Sequence, residues 1–194
     1  MSQKLILAST SPFRKQLLEK LHLVFDTAKP DVDETPLPEE TAIKLVERLA
    51  IAKAQAIAPE FADALIIGSD QVCVNQGKIL GKPGNVANAF AQLKAASGKS
   101  ITFYTGLALL NTRTGIVQSL VEPYVVQFRE LNDQMINHYL QKEQPFNCAG
   151  SFKSEGYGIA LFESFEGKDP NSLIGLPLIS LIKMLEKENF SVLG

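Results

Sequence analysis

The chain has no tryptophan, two cysteines and two histidines among its 194 residues. These shortages remove several familiar catalytic sets. Zinc sites draw on clustered Cys and His, and Cys73, Cys148, His22 and His138 offer no such spacing. A Ser-His-Asp arrangement would need His22 or His138, and neither sits near a nucleophile motif. Two cysteines without repeated spacing fit a reducing compartment. Charge of one sign is also missing. Lys and Arg total 19, Asp and Glu total 21, and the net charge is −2. That balance gives no overall pull toward nucleic acid or an anionic membrane. No apolar run approaches the roughly 18 residues of a membrane span, and Leu5–Ala8 is too short for a signal h-region. No internal repeat or low-complexity linker is present. The expectation is a soluble cytoplasmic protein with neither nucleic acid nor membrane as partner.

What is present is ordinary globular material, 45% hydrophobic and 21% charged. A chain of this size buries about 70% of its unfolded surface and needs no disulfide or structural metal to fold. The length suits a single domain over residues 1–194, built as one body or two lobes. Lys4–Ala8 reads as a buried strand. Ser11 then caps a helix that opens on Pro12. Val24–Ala28 reads as a second strand, and Pro30–Pro38 as an acidic turn segment. Apolar spacing over Glu39–Ala58 predicts a long amphipathic helix. Ala64–Ile67 is a buried strand ending in Gly68-Ser69-Asp70-Gln71. Val72–Val74 and Lys78–Leu80 predict a hairpin around Asn75-Gln76-Gly77. Val86–Ala96 is a helix capped by Asn85. Ile101–Leu110 and Ile116–Phe128 are long β runs, with Pro123 arguing for an edge or bulge. Asp133–Lys142 is a helix, Asn147–Gly158 a polar loop, Ile159–Phe162 a last strand, and Leu176–Glu188 a last helix. Strand–helix crossovers mixed with hairpins define an α/β fold with a mixed β-sheet and flanking helices.

The polar residues collect at a few points, each with a plain alternative. Ser9, Ser11 and Arg14 stand where a strand meets a helix N-terminus, a place that favours anions; the alternative is a cap and a solvated basic face. Asp70 follows a buried strand, where open α/β sheets place their sites; it could bind a divalent metal, take a proton from water, or cap a turn. Lys82 on Gly81-Lys82-Pro83 grips a phosphate or is exposed. Asp31, Asp33 and Glu34 repel one another unless a cation is near, which reads as metal ligation or as a solvated turn. Lys53 interrupts an alanine-rich helix face, either snorkelling or contacting phosphate. Glu155, bracketed by glycines in a polar loop, pairs with a base edge or simply faces water. Together these list basic groups, carboxylates and a loop, with no His or Cys required. Such an inventory points to phosphate-ester or phosphoanhydride chemistry with Mg²⁺ or Mn²⁺.

The motifs Leu-Ile-Leu-Ala-Ser-Thr-Ser-Pro-Phe-Arg, Val32-Asp33-Glu34, Lys53-Ala54, Gly68-Ser69-Asp70-Gln71-Val72, Gly81-Lys82-Pro83, Phe103-Tyr104-Thr105-Gly106 and Ala149-Gly150-Ser151-Phe152 resemble, in order, the Maf family of nucleotide pyrophosphatases. Phe13, Gln71 and Glu155 resemble the YceF-type branch, which hydrolyses 7-methyl-GTP to 7-methyl-GMP and pyrophosphate; that branch usually has Trp where Phe13 stands. The resemblance implies two lobes around a central cleft, a divalent cation, a nucleoside triphosphate substrate and a homodimer. It implies Asp70 as the catalytic acceptor and Phe13, Gln71 and Glu155 as specificity positions. It implies Ser9, Ser11, Arg14, Lys53 and Lys82 as phosphate-facing, and Glu34 with Asp70 as metal-facing. Chemically, the positively charged 7-methylguanine ring suits the Phe13 face. Glu155 can accept from the guanine N1–H and amine, and Gln71 offers both a donor and an acceptor. The alternatives are a dTTP or UTP pyrophosphatase of the same family, or a nucleotide-binding regulator of cell division.

Overall fold

A computed structural model describes residues 3–194. Its elements are β1 (Lys4–Ala8), α1 (Pro12–Glu19), β2 (Asp26–Ala28), α2 (Ala42–Ile57), β3 (Ala64–Asn75), β4 (Lys78–Leu80), α3 (Val86–Ala96), β5 (Ser100–Asn111), β6 (Val117–Phe128), α4 (Asp133–Glu143), β7 (Phe162–Gly167), α5 (Pro170–Ile174) and α6 (Leu178–Lys187). Seven strands form one mixed sheet in the order β2-β1-β3-β5-β6-β7, with β4 paired to β3. β1 runs parallel to β2 and β3, whereas β4 on β3 and β7 on β6 are antiparallel. This is the mixed α/β architecture that the alternation of crossovers and hairpins predicts. No helix among the described residues is long and apolar enough to cross a membrane.

The chain divides into two compact units. The first comprises the residues up to Gln71, Thr105–Glu122 and Asp169–Gly194; the second comprises Val72–Tyr104 and Pro123–Lys168. β3, β5 and β6 each contribute one stretch to either unit.

In the first unit β1 and the start of β3 are apolar on both faces, because helices cover both. Leu5, Leu7, Leu65 and Ile67 pack with Leu17 and Leu18 of α1 and Leu181 and Leu185 of α6. Ile6, Ala8 and Ile66 pack with Ala54 and Ile57 of α2. Two glycines set how closely α2 lies on the sheet. A Cβ at Gly68 would stand 2.0 Å from the Ala50 carbonyl oxygen, and one at Gly106 would stand 2.1 Å from that of Val46. Only hydrogen leaves room for such backbone contact.

The second unit closes around aromatic rings. Phe152 meets Phe103, Phe128 and Phe162 edge-to-face at 5.3, 5.6 and 4.7 Å, the geometry that ring quadrupoles favour. Its β3–β4 hairpin turns on Gln76 and Gly77, both at positive φ (49° and 78°). Two such residues make the turn whose twist matches the flanking strands.

Several elements depart from their predicted bounds. The second strand is only Asp26–Ala28, and Val24 is 94% exposed. α2 starts at Ala42 behind a Thr41 cap. Glu39 adopts φ 59°, and Glu40 leaves the helix to bind Arg48 at 2.6 and 2.8 Å. The third strand does not stop before Gly68 but runs unbroken to Asn75, so Asp70 lies inside a strand and not at its end. Ile159 belongs to a 3₁₀ turn (Tyr157–Leu161), and β7 follows it. Pro123 falls just outside the β7 pairing, which begins at Tyr124; the register irregularity lies at Gln127/Phe128 instead. α5 was not expected at all. It is a five-residue helix between the Asp169 cap and Gly175, whose φ is 118°.

Candidate active site in the first unit

β1 pairs with β3 only as far as Leu7↔Ile67, and β4 joins β3 only from Cys73. Within the first unit, β3 pairs with no strand among the described residues on that side over Gly68–Gln71. The end of β1 and the start of α1 lie where the pairing stops. A gap of this kind beside the carboxyl end of a parallel strand is where open α/β sheets take up ligands.

Strand alternation divides the polar residues of β3 between two faces. Gly68 and Asp70 share the face covered by α2. α2 is held against Gly68, so Lys53 reaches Asp70. The Lys53 ammonium lies 2.7 Å from Asp70 Oδ1 and 2.7 Å from Glu34 Oε1. Lys53 and Asp70 side chains are 8% and 11% exposed, whereas Glu34 is 61% exposed. A buried lysine bridging two carboxylates is thus explained by the acidic residues, and the snorkelling alternative for Lys53 falls.

At the gap, Ser9 Oγ accepts from the Ser11 N–H at 3.1 Å, and Ser11 Oγ accepts from the Arg14 N–H at 3.4 Å. Both hydroxyl hydrogens stay available for an anion at the α1 N-terminus. Arg14 donates through Nε to the Gly175 carbonyl at 2.9 Å. Burial pulls the Arg14 pKa below its ordinary value, while the Asp70 and Glu34 carboxylates pull it back up. Arg14, Asp70 and Glu34 therefore share one electrostatic neighbourhood. Phe13 is half-buried on α1 beside them in sequence.

The other face of β3 carries Ser69 and Gln71. Ser69 Oγ lies 2.9 Å from the carbonyls of Gly106 and Gly175. Gln71 Nε2 lies within donating distance of Thr105 Oγ1 (2.9 Å), the Ser172 carbonyl (2.7 Å) and the Leu173 carbonyl (3.1 Å). This corrects the expectation that Gln71 offers a donor as well as an acceptor, because its N–H groups are already taken by the protein. Thr105, Ser172 and the α5 segment were missed as partners. The one sequence signal for α5 is Asp169-Pro170 followed by Gly175, a cap, a first-turn proline and a helix-ending glycine.

The remaining two predicted residues belong to the second unit. Lys82 is exposed on the loop after β4. Glu155 is exposed and accepts from the Ser154 hydroxyl at 3.4 Å. Its neighbour Lys153 pairs with Glu143 at 3.1 Å, and Glu143 also accepts from the Tyr157 N–H at 2.9 Å.

Among the described residues no three His, Cys, Asp or Glu side chains gather at one point. A protein-only metal cage is therefore not the arrangement. Mg²⁺ typically binds one or two carboxylates and completes its shell with water and substrate phosphates. Asp70 and Glu34 already share a cation, the Lys53 ammonium. That donor pair fits a hard divalent ion whose remaining ligands come from a phosphate-bearing substrate.

The fold is that of an open α/β protein, with a helix N-terminus and Arg14 beside paired carboxylates. Residues 4–188 match the family model described as Maf-like protein, and the chain belongs to that family. The family is generally one of nucleoside triphosphate pyrophosphatases, which typically use a divalent metal.

Proposed function

We propose that the protein hydrolyses a nucleoside triphosphate between its α- and β-phosphorus atoms. We further propose 7-methyl-GTP as its preferred substrate, with 7-methyl-GMP and pyrophosphate as products, so that modified nucleotides are removed. The observation that carries the chemistry is the Glu34–Lys53–Asp70 row, buried at Lys53 and Asp70, beside Ser9, Ser11 and Arg14. The row supplies what phosphoryl transfer requires: fixed positive charge, a carboxylate and anion-binding donors.

In this reading Asp70 accepts a proton from the water that attacks the α-phosphorus. Lys53, 2.7 Å from Asp70 Oδ1, aims that carboxylate. Ser9, Ser11 and Arg14 hold phosphate oxygens, with Arg14 offering its remaining guanidinium donors. Lys82 is proposed to hold phosphate as well. A divalent cation, held by Asp70 and Glu34, would neutralise the triphosphate and its leaving pyrophosphate. Phe13 supplies an aromatic face for the cationic methylated ring. Glu155 is proposed as the acceptor for guanine N–H groups. A homodimer belongs to the same proposal and is read by light scattering.

The test is pyrophosphate release by purified protein with Mg²⁺ or Mn²⁺, comparing 7-methyl-GTP with GTP, dTTP, UTP and CTP. Preference for 7-methyl-GTP supports the whole reading. Preference for a pyrimidine keeps the Asp70 chemistry and overturns the base assignment. Asp70→Asn should abolish release while leaving the thermal transition intact; retained turnover would remove Asp70 from the chemistry. Glu155→Ala should lower the preference for the methylated base, and an unchanged preference would remove Glu155 from base selection.

A further inference from the structure

The buried polar groups of the first unit do not end at Asp70. On the opposite face of the sheet a second network joins Gln71, Thr105, Ser172, Glu122 and Ser180, and the chemistry above uses none of its last four members. Glu122 on β6 is a 6% exposed carboxylate without a basic partner in the network. It accepts from the Ser172 hydroxyl at 3.0 Å and from the Ser180 hydroxyl. Ser172, fully buried on α5, turns its carbonyl to the Thr105 hydroxyl at 2.8 Å and to Gln71 Nε2. Asp169 ties the start of α5 to the start of α6, because it accepts from the N–H groups of Asn171 and of Ile179, both at 2.8 Å.

The last carbonyls of a helix have no partner within it. Here the Leu173 and Gly175 carbonyls take donors from Gln71, Ser69 and Arg14, and the Ser172 carbonyl, which also accepts from the Gly175 N–H at 3.1 Å, takes Gln71 and Thr105. For Gln71 this fixes the amide. Turning it over would set Oε1, itself an acceptor, against two carbonyl oxygens. Nε2 is therefore held inward. Oε1 accepts no hydrogen bond from the described residues, and it is not one of the buried atoms left unpartnered, which are Asn75 Oδ1 and Gln118 Oε1. It is a fixed acceptor, one residue along β3 from Asp70 and on the other face of the strand.

We propose that Glu122, acting through Ser172 and the α5 carbonyls, locks Gln71 as an acceptor-only group that selects substrates carrying a hydrogen-bond donor. Gln71 is the specificity residue and Glu122 a positioning residue. A substrate with a carbonyl or nothing at that point leaves Oε1 unpaired or opposed. The loss of one such bond corresponds to a selectivity on the order of tenfold. The inference rests on the reading of the site as a nucleoside triphosphate site.

The experiment compares pairs of triphosphates that differ by one donor: GTP with ITP for a ring amine, CTP with UTP for an amine against a carbonyl, and GTP with dGTP for the ribose hydroxyl. Pyrophosphate release by wild type should favour the donor-bearing member of at least one pair roughly tenfold. Gln71→Met and Glu122→Leu should bring that ratio to near one, while Glu122→Gln, which still accepts from Ser172, should keep it. If Glu122→Leu does not fold, Ser172→Ala removes the same link and keeps the carbonyls. A ratio unchanged in Gln71→Met overturns the selector. A ratio lost in Gln71→Met but kept in Glu122→Leu or Ser172→Ala overturns the positioning role. If wild type releases pyrophosphate from none of these and not from 7-methyl-GTP either, the pyrophosphatase reading has failed on its own. The same ratios are then read from equilibrium binding of α,β-methylene triphosphates, with the same deciding outcomes.

Discussion

At the scale of single residues, Lys53 is the most constrained charge in the first unit. It faces one nearly buried carboxylate and one largely exposed one. Removing it strands Asp70 with the more distant Arg14 and Arg48 to offset its charge, whereas removing Asp70 leaves Lys53 paired with Glu34. The two changes should therefore differ in stability and agree in activity. Lys53→Met should cost roughly 3 kcal/mol, the range for breaking a buried pair from one side. Asp70→Asn should cost about 1 kcal/mol. Both should stop pyrophosphate release. Urea midpoints beside the release assay check this, and equal destabilisation would refute the asymmetry. The cysteines give an independent check on burial. Burial pushes the Cys73 thiol up to about 12, and also raises the half-buried Cys148. The thiolate is the reactive form. A disulfide-exchange reagent at pH 8 should therefore label Cys148 slowly, and Cys73 only on unfolding.

At the scale of elements, α2 connects packing to chemistry. Its contact with β3 depends on Gly68, and that contact brings Lys53 to Asp70. Gly68→Ala forces a methyl to 2.0 Å from the Ala50 carbonyl oxygen, so helix and strand must separate. A loss of at least roughly 3 kcal/mol is expected, the upper range for overpacking, with kcat falling as Lys53 withdraws. Gly81→Ala is the control, since nothing lies within 4 Å of its Cβ; its midpoint should shift by less than about 0.5 kcal/mol. The start of α2 carries a pH-dependent clip. The Arg48 hydrogen bonds hold the Glu40 carboxyl down to about 2, from an ordinary 4.5. A carboxylate depressed in the folded state stabilises above its unfolded pKa, and that contribution is lost as pH falls through the folded one. The Tm gap between wild type and Glu40→Gln should thus be constant above about pH 5 and close toward about pH 2. A gap that widens on acidification would reverse the sign and reject the clip.

At the scale of the whole molecule, the parts read correctly from sequence were those fixed by local chemistry. Ser11-Pro12 and Asn85 announce helix starts, Gln76-Gly77 a tight hairpin, and the apolar runs at residues 4–8 and 64–67 two strands buried on both faces. What was illegible depends on long-range partners. Polar residues at 68–71 look like a loop, yet they remain strand because α2 and the α5 carbonyls satisfy them. The donor of Gln71 is consumed by residues about a hundred positions away, which no local pattern reveals. The same distinction governs what a metal contributes. The first unit has packed apolar cores on both faces of its sheet, and among the described residues no trio of ligands gathers to bind an ion unaided. On the proposed reading a cation would join two carboxylates to a substrate, and so would belong to turnover and not to folding. Chelation with EDTA should abolish pyrophosphate release and leave the Tm of the nucleotide-free protein within about 1 °C, because a ligand stabilises only in proportion to its binding to the native state. Adding nucleotide and Mg²⁺ together should raise Tm more than the sum of either alone, since each completes the other's site. A Tm that falls on chelation without nucleotide would show a structural metal and overturn this division.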